Sequence, residues 1–310
     1  MLKHKDLISI QDLTVAEIEE IFSLTRALKK KNNPNLLKGK VLGMIFEKSS
    51  TRTRVSFEVA MLQLGGHALF LSPRDIQIGR GETIEDTAKV LSGYVDGVML
   101  RTYSHKTLTD FAAAAAVPVI NGLTDLSHPV QVLADLFTLI EVKKNLKPLK
   151  IVYIGDGANN MAHAWLHGAA KLGLHLVICA PTQDQPSQQA WHEVKALAQK
   201  SKARLEIEVD PKKAVEKADV IYTDTWVSMG QEKEEAVRLK RLAPYQVNQK
   251  LVDKANKDVV VMHCLPAHRG DEITAEVADG PHSIIFHEAE NRLHVQKAIL
   301  ALLMSHKRKK

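Results

Sequence analysis

Lys40-Val41-Leu42-Gly43-Met44-Ile45-Phe46-Glu47-Lys48-Ser49-Ser50-Thr51-Arg52-Thr53-Arg54 decides how the rest of the chain is read. Residues 40–46 form a nearly unbroken apolar run, as expected of a strand buried on both faces of a parallel sheet. Beyond the arginines, Val55-Ser56-Phe57-Glu58-Val59-Ala60-Met61-Leu62-Gln63-Leu64 spaces its apolar residues at helical intervals and stops at Gly65-Gly66. Ser49 to Thr53 therefore falls where a strand turns into a helix. The first N–H groups of a helix lack intrahelical partners and lie at the positive end of its dipole, so such a turn favours an anion. Hydroxyls from Ser50, Thr51 and Thr53 and the guanidiniums of Arg52 and Arg54 make it suitable for a phosphate, whose oxygens a guanidinium can take two at a time. Taken alone, the segment also fits an ordinary N-cap with surface arginines.

Working outward, the same strand-then-helix unit recurs. His67–Leu71 reads as a second strand, and residues 72–82, with Pro, two Gly and mixed charge, as a loop. Glu82 to Tyr94 reads as an amphipathic helix, Gly97–Arg101 as a strand, the stretch through Phe111 and the alanine run 112–116 as a helix, and Val117–Asn121 as a strand. Ser127 is a plausible cap for a helix with Pro129 in its first turn, running to about Lys144. Before the first strand, residues 1–37 read as helical. The second half repeats the alternation, with strands at 151–154, 174–180, 204–209, 220–223 and 259–263 and helices that include 188–200 and 211–217. A short last strand, 283–286, precedes a helix from Arg292 to about Met304. This pattern predicts an α/β protein of two domains, each a parallel sheet flanked by helices. The Lys-rich stretch at 143–148 is the best boundary, giving domains 1–145 and 146–291. Ligands of such sheets bind beyond the carboxyl ends of the strands.

Composition narrows the class. The 310 residues are 45% hydrophobic and 25% charged, with a net charge of +6 at pH 7, as in a soluble globular protein with room for two domains. No apolar run reaches the roughly 18 residues of a membrane span, and Met1-Leu2-Lys3-His4-Lys5-Asp6 has no signal-peptide core, so a cytoplasmic protein without a membrane partner is expected. Part of the charge is a basic tail, 306–310, with no interleaved aromatics to suggest nucleic acid. The remaining excess suits an anionic substrate. Two cysteines, Cys179 and Cys264, exclude a disulfide framework and a Cys-based zinc site.

Gly155-Asp156-Gly157-Ala158-Asn159-Asn160 follows a strand but lacks the third glycine of a dinucleotide loop, and the next strand ends Cys179-Ala180-Pro181 rather than in an acidic residue. Its glycines are expected to allow a tight turn presenting Asn160 to a ligand, with Asn159 the alternative. His128 and Gln131 stand three positions apart on one face of a helix start. With Arg101 at a strand end and Thr53, His128 would supply donors for an oxyanion. Asp224-Thr225-Trp226-Val227-Ser228-Met229-Gly230 follows a strand, and its carboxylate could hold an ammonium or cap a helix. Cys264, flanked by His263, His268 and Arg269, is either an inert buried thiol or a functional one. Cys-His-Asp nucleophilic catalysis lacks an evident base–orienter pair.

Together these motifs resemble the aspartate and ornithine carbamoyltransferase family. Ser50-Thr51-Arg52-Thr53-Arg54 is similar to its carbamoyl-phosphate signature and His128-Pro129-Val130-Gln131 to the companion motif, while Ser228-Met229-Gly230 and His263-Cys264-Leu265-Pro266 resemble the ornithine branch. The resemblance runs over essentially the whole chain. It implies a carbamoyl-phosphate domain followed by an ornithine domain, with the last helix, 292–310, packing back on the first. It also implies transfer of a carbamoyl group from carbamoyl phosphate to the δ-amine of L-ornithine, giving L-citrulline and phosphate, in arginine synthesis or alternatively in arginine breakdown or on another amine. The expected carbamoyl-phosphate residues are Ser50, Thr51, Arg52, Thr53, Gln77, Arg101, His128, Gln131, Cys264, Leu265 and Arg292. Asn160, Asp224, Ser228 and Met229 are expected at ornithine, with Arg52, Arg101, His128, Asp224 and Cys264 catalytic and neither metal nor organic cofactor required. The family resemblance further implies a homotrimer in which the loop 72–82 of a neighbour, through Gln77, completes the site.

Overall fold

The computed structural model describes residues 2–72, 81–227 and 234–305. The chain divides into two compact units, Met1–Phe137 with Glu290–Lys310, and Thr138–Ala289. Each is a parallel sheet with helices.

In the first unit, β1 (Val41–Phe46), β2 (His67–Leu71), β3 (Gly97–Arg101) and β4 (Val119–Leu123) lie in the order β2-β1-β3-β4. All three pairings are parallel, as helical crossovers require. The chain runs from β1 to β2 on one side and then returns to the other with β3, so the winding reverses between β1 and β3. Their carboxyl ends are in register, Phe46 opposite Arg101. That is the switch point at which an open α/β sheet forms its ligand crevice. The central strands are apolar and buried, whereas β2, at the edge, is largely exposed. Leu7 adds an unexpected parallel bridge to Ile120, its N–H donating to the Val119 carbonyl at 2.9 Å.

The helices of this unit are α1 (Val15–Lys30), α2 (Thr51–Gln63), α3 (Ile84–Tyr94), α4 (His105–Ala114) and the first part of α5 (Pro129–Lys143). Local signals start most of them. Thr14 and Glu17 form a reciprocal capping box on α1, and Ser50, Thr83 and Ser104 cap α2, α3 and α4. Of the helical N-terminal stretch expected over 1–37, only α1 and a short 3-10 turn at Ile10–Asp12 form.

In the second unit, β5 (Lys150–Ile154), β6 (His175–Cys179), β7 (Arg204–Glu208), β8 (Val220–Thr223) and β9 (Val260–His263) lie in the order β7-β6-β5-β8-β9, all parallel. Here the switch point falls between β5 and β8. The helices are α6 (Asn160–Leu172), α7 (Gln188–Ser201), α8 (Pro211–Ala214), α9 (Glu235–Leu242), α10 (Gln249–Val252) and α11 (Ala275–Ala278). Val152, Ile154, Val177, Ile221 and Val261 from the strands meet Trp226, Leu242 and Tyr245 in one core.

One expectation fails. Residues 283–286 are not a strand; only Ser283 bridges to Val261, and a helix, α12 (Ile285–Met304), begins at once, well before Arg292. The inward residues are spaced for a helix rather than a strand. Ile285 is fully buried, Phe286 is 64% exposed, and Glu288, one turn on, is buried with its carboxylate accepting the His263 N–H at 2.9 Å. Residues 290–304 of α12 belong to the first unit. Lys29 Nζ donates to Asn291 Oδ1 at 2.7 Å, and buried Lys297 donates to Leu28 O, Asn32 Oδ1 and Gln63 Oε1 at 3.0, 2.8 and 2.9 Å. The C-terminal helix thus packs on the N-terminal unit, as the family resemblance implies. No described helix is long and apolar enough to cross a membrane.

Candidate active site

The β1–α2 turn is held from two sides. Both Glu47 and Lys48 donate their backbone N–H to the Arg101 carbonyl, at 2.8 and 3.4 Å, which ties the carboxyl end of β1 to that of β3. Lys48 is buried, its ammonium paired with Asp125 and lying 4.4 Å from the Tyr103 ring centroid. Ser50 caps α2, its Oγ accepting the Thr53 N–H at 3.2 Å and donating to Thr53 Oγ1 at 3.0 Å. Beside the turn lies a cleft of about 590 Å3 lined by Phe46, Glu47, Ser49, Ser50, Thr51, Arg54, Phe70 and Ser72.

Thr53 is fully buried and joins the last helix to this turn, because Arg292 Nη2 donates to its Oγ1 at 2.7 Å. Arg101 and His128 are buried as well. Burial first, then the nearby charges of Arg292 and Arg101, push the His128 imidazole well below its usual 6.5. It is therefore neutral at physiological pH and can donate one hydrogen bond without competing for a proton. Buried Gln131 is fixed by its own amide, which donates to Asp135 Oδ1 at 2.8 Å. Two buried nitrogens, Arg52 Nε and His128 Nδ1, have no hydrogen-bond partner among the described residues. Buried polar atoms are rarely left so, and a group accepting from them is the natural complement. Three guanidiniums, a neutral imidazole and the α2 hydroxyls could together hold a phosphate and polarise a carbonyl attached to it.

In the second unit the polar residues lie past the carboxyl ends of β5, β8 and β9. Gly155 makes the turn after β5 with φ +128°, and a Cβ there would lie 3.1 Å from Trp226 Nε1. Asn159 caps α6 and Asn160 is its first residue. Asp224 Oδ1 accepts from Cys264 Sγ at 3.0 Å and from the Thr225 N–H at 2.7 Å, while Oδ2 accepts from Asn159 Nδ2 at 3.3 Å. Burial raises the Asp224 pKa; His263 nearby and the Cys264 and Thr225 hydrogen bonds oppose the rise. A buried carboxylate with a thiol against it could orient and accept from an amine. Leu265 is half-buried in a left-handed conformation, φ +58°, unusual for a branched side chain. Its N–H donates to His263 Nδ1 at 2.9 Å, and His263 Nε2 lies 3.0 Å from Glu272, so the ring carries its proton on Nε2.

Ser50, Thr51, Arg52, Thr53, Arg101, His128, Gln131 and Arg292 thus fall in the first unit, and Asn160, Asp224, Cys264 and Leu265 in the second. Gln77, Ser228 and Met229, with the loop and the basic tail expected around 72–82 and 306–310, lie outside the described residues except for the loop's ends. Sequence reasoning missed Asp135 behind Gln131, Tyr153 behind Asp224, and Lys48, while of the two asparagines it left open, Asn159 is the one that reaches Asp224. The Tyr153 hydroxyl donates to Asn159 Oδ1 at 3.0 Å, completing a chain from Tyr153 through Asn159 to Asp224. Only Lys48, next to the anion turn, carried a signal in the sequence.

The fold is that of an α/β protein of two units, with a group of anion donors in the first and a buried carboxylate–thiol pair in the second. Residues 5–141 match the carbamoyl-P binding domain of aspartate/ornithine carbamoyltransferase and residues 147–303 its Asp/Orn binding domain. The ornithine carbamoyltransferase of Oceanobacillus iheyensis is 54% identical over 308 residues, 98% of this chain and 95% of that protein, and that of Pyrococcus abyssi is 53% identical over 307. Among solved structures, ornithine carbamoyltransferase from Pyrococcus furiosus superposes with a TM-score of 0.94 at 51% identity, covering 98% of both chains. The anabolic enzyme from Campylobacter jejuni gives 0.92 at 42% identity, covering 97% of this chain and 99% of that one. The chain belongs to the aspartate/ornithine carbamoyltransferase family and is a carbamoyltransferase.

Proposed function

We propose that the acceptor is L-ornithine, and that the protein transfers the carbamoyl group of carbamoyl phosphate to its δ-amine, releasing L-citrulline and phosphate. The Asp224–Cys264 pair carries the choice of acceptor. A carboxylate with a thiol hydrogen-bonded to it suits a cationic or neutral amine and offers nothing to the second carboxylate of aspartate. The names and identities of the relatives support the same reading.

Ser50, Thr51, Arg52, Thr53 and Arg101 hold the phosphate, with Arg292 on the same substrate. His128, Thr53 and Arg101 donate to the carbonyl oxygen, where charge builds as the amine adds. Gln131, its amide oriented by Asp135, binds the carbamoyl amide. Asn160 with Ser228 and Met229 receives the α-amino and α-carboxylate end of ornithine, and Asp224 and Cys264 orient the δ-amine. That amine must arrive neutral. With a lysine-like pKa of about 10.4, losing its proton near pH 7.5 costs about 4 kcal/mol, and the arginines at the donor lower this by disfavouring an ammonium beside them. Asp224, made more basic by burial, takes the proton. The lone pair then attacks the carbonyl carbon, the nitrogen passes its surplus proton to the leaving phosphate oxygen, and collapse of the tetrahedral adduct breaks the carbon–oxygen bond and expels phosphate. Leu265 contributes its backbone to the carbamoyl end, and Gln77 comes from a neighbouring subunit of a cytoplasmic homotrimer.

Carbamoyl phosphate offered with ornithine, aspartate, putrescine and N-acetylornithine, scored for carbamoylated product, tests the acceptor; product from ornithine alone is expected, and comparable product from another amine overturns it. Arg52→Leu is expected to weaken carbamoyl phosphate, and Cys264→Ala to raise the ornithine KM more than that for carbamoyl phosphate. Biosynthetic direction, supported by the 42%-identical anabolic relative, is tested by growth without arginine of an auxotroph lacking this activity. Light scattering tests the trimer.

A further inference from the structure

We propose that His163, His167 and Glu193 form a binding site for a single divalent transition-metal ion, zinc fitting best, that fastens α6 to α7 in the second unit. His163 and His167 stand four residues apart on α6, so both imidazoles leave the same face of the helix. Glu193 comes from α7. The Nε2 atoms of the two histidines lie 3.3 and 3.4 Å from the same oxygen, Glu193 Oε2. The rings sit edge to face with centroids 4.3 Å apart, and the three candidate ligand atoms are within 4.8 Å of one another.

The two nitrogen–oxygen separations are what a tetrahedral ion demands. Zinc lies about 2.0–2.2 Å from imidazole nitrogen and carboxylate oxygen, and a tetrahedron with arms of that length has edges of roughly 3.3–3.6 Å. Both observed nitrogen–oxygen edges match without moving a side chain. The carboxylate is also oriented from behind, since Gln189 Nε2 donates to its other oxygen at 3.1 Å, the outer-shell support that metal-binding carboxylates use. His167 is nearly fully buried, so the site shields an ion from solvent on the α6 side. Glu193 is only partly buried, which gives an ion access and leaves room for water as a fourth ligand. Two nitrogens and one oxygen select zinc, cobalt, nickel or copper over magnesium or calcium, which take oxygen.

Cobalt(II) titrated into the full-length protein after chelator treatment tests the site. One equivalent should bind with visible d–d bands, without the charge-transfer absorption of a thiolate ligand, and zinc should displace it. Glu193→Gln and His167→Gln should weaken that equivalent by about a hundredfold, Gln189→Ala by about tenfold, and Cys264→Ala should leave it unchanged. Zinc should raise the Tm of the unaltered protein but not of Glu193→Gln, a partly exposed change that reports even where His167→Gln folds poorly. The proposal is overturned if the unaltered protein shows no cobalt bands, which leaves a hydrogen-bonded trio only. It is equally overturned if Glu193→Gln retains the bands, or if Cys264→Ala removes them and so assigns the ion to Asp224, His263 and Cys264.

Discussion

Replacing Arg292 by Met keeps the buried stem of the side chain and removes its charge. In the folded protein this guanidinium donates to Thr53 Oγ1 at 2.7 Å and is the larger of two charges acting on His128. Thr53 would not be left unsatisfied, since Ser50 Oγ still reaches its hydroxyl at 3.0 Å. Removing a buried charge offsets part of what that hydrogen bond contributed, so the folding cost is about 1 kcal/mol. Its effect on the donor substrate should be larger. A hydrogen bond to a charged group contributes about 1.5–3 kcal/mol, which at 1.36 kcal/mol per decade is about tenfold to a hundredfold in kcat/KM for carbamoyl phosphate. Initial rates at saturating ornithine, with denaturant unfolding of the same preparation, measure both quantities. A second signature is independent of rate: with Arg292 gone, one cause depressing His128 disappears, so its imidazole should titrate at higher pH by NMR while burial still holds it below 6.5. An unchanged KM for carbamoyl phosphate with an unmoved His128 titration would refute the reasoning.

Asn159→Ala should cost about 1 kcal/mol of stability as a lost N-cap and raise the ornithine KM; Asn159→Ser should recover the Tm by restoring the cap but not the KM, because serine cannot reach Asp224. Because burial raises the Asp224 pKa in the folded state, ionising it opposes folding, and the penalty grows as pH rises above the unfolded value of 3.8. Asp224→Asn should therefore be at least as stable as the unaltered protein at neutral pH by denaturant unfolding, yet inactive. His128 has the opposite dependence: its depressed pKa means the folded state resists a proton that the unfolded chain accepts, so stability falls as pH drops below 6.5. His128→Gln should flatten that limb of the stability curve. Lys297→Met strips a buried ammonium from three neutral acceptors on α1, α2 and the turn after α1; leaving buried acceptors unpaired should lower stability by about 1–3 kcal/mol with the ornithine KM unchanged.

How much of this was legible beforehand depends on the range of the interaction. The turn at Ser50–Thr53 declares itself because an apolar strand, a hydroxyl cap and a helical repeat are neighbours in sequence, and Arg101 because it ends an apolar strand. The two parallel sheets follow from the same alternation. What the sequence hid is long-range. Nothing near Asn159 announces that its amide reaches Asp224, 65 positions away. Asp135 looks like one more helical carboxylate until the fold buries it against Gln131. The stretch Ile284-Ile285-Phe286 misled through residue type, since β-branched and aromatic side chains favour strands, while the tertiary demand at Ile285 and Glu288 set a helical period instead. The His163–Glu193 cluster was invisible because its parts sit on separate helices.

The first unit is assembled from both ends of the chain, and this has a consequence for synthesis on the ribosome. A nascent chain that has reached Phe137 already contains all four strands, the anion turn, Arg101 and His128, yet it lacks Arg292, which reaches Thr53, and Lys297, which ties α1 to α2. Those residues emerge only after the whole of the second unit. The first unit is thus expected to stay loosely packed through most of translation, while the second, encoded as one continuous stretch, can fold as it appears. Completion of the first unit then becomes a late event, reached only once α12 has been made, and a transcript cut short before α12 yields a protein without Arg292 and Lys297.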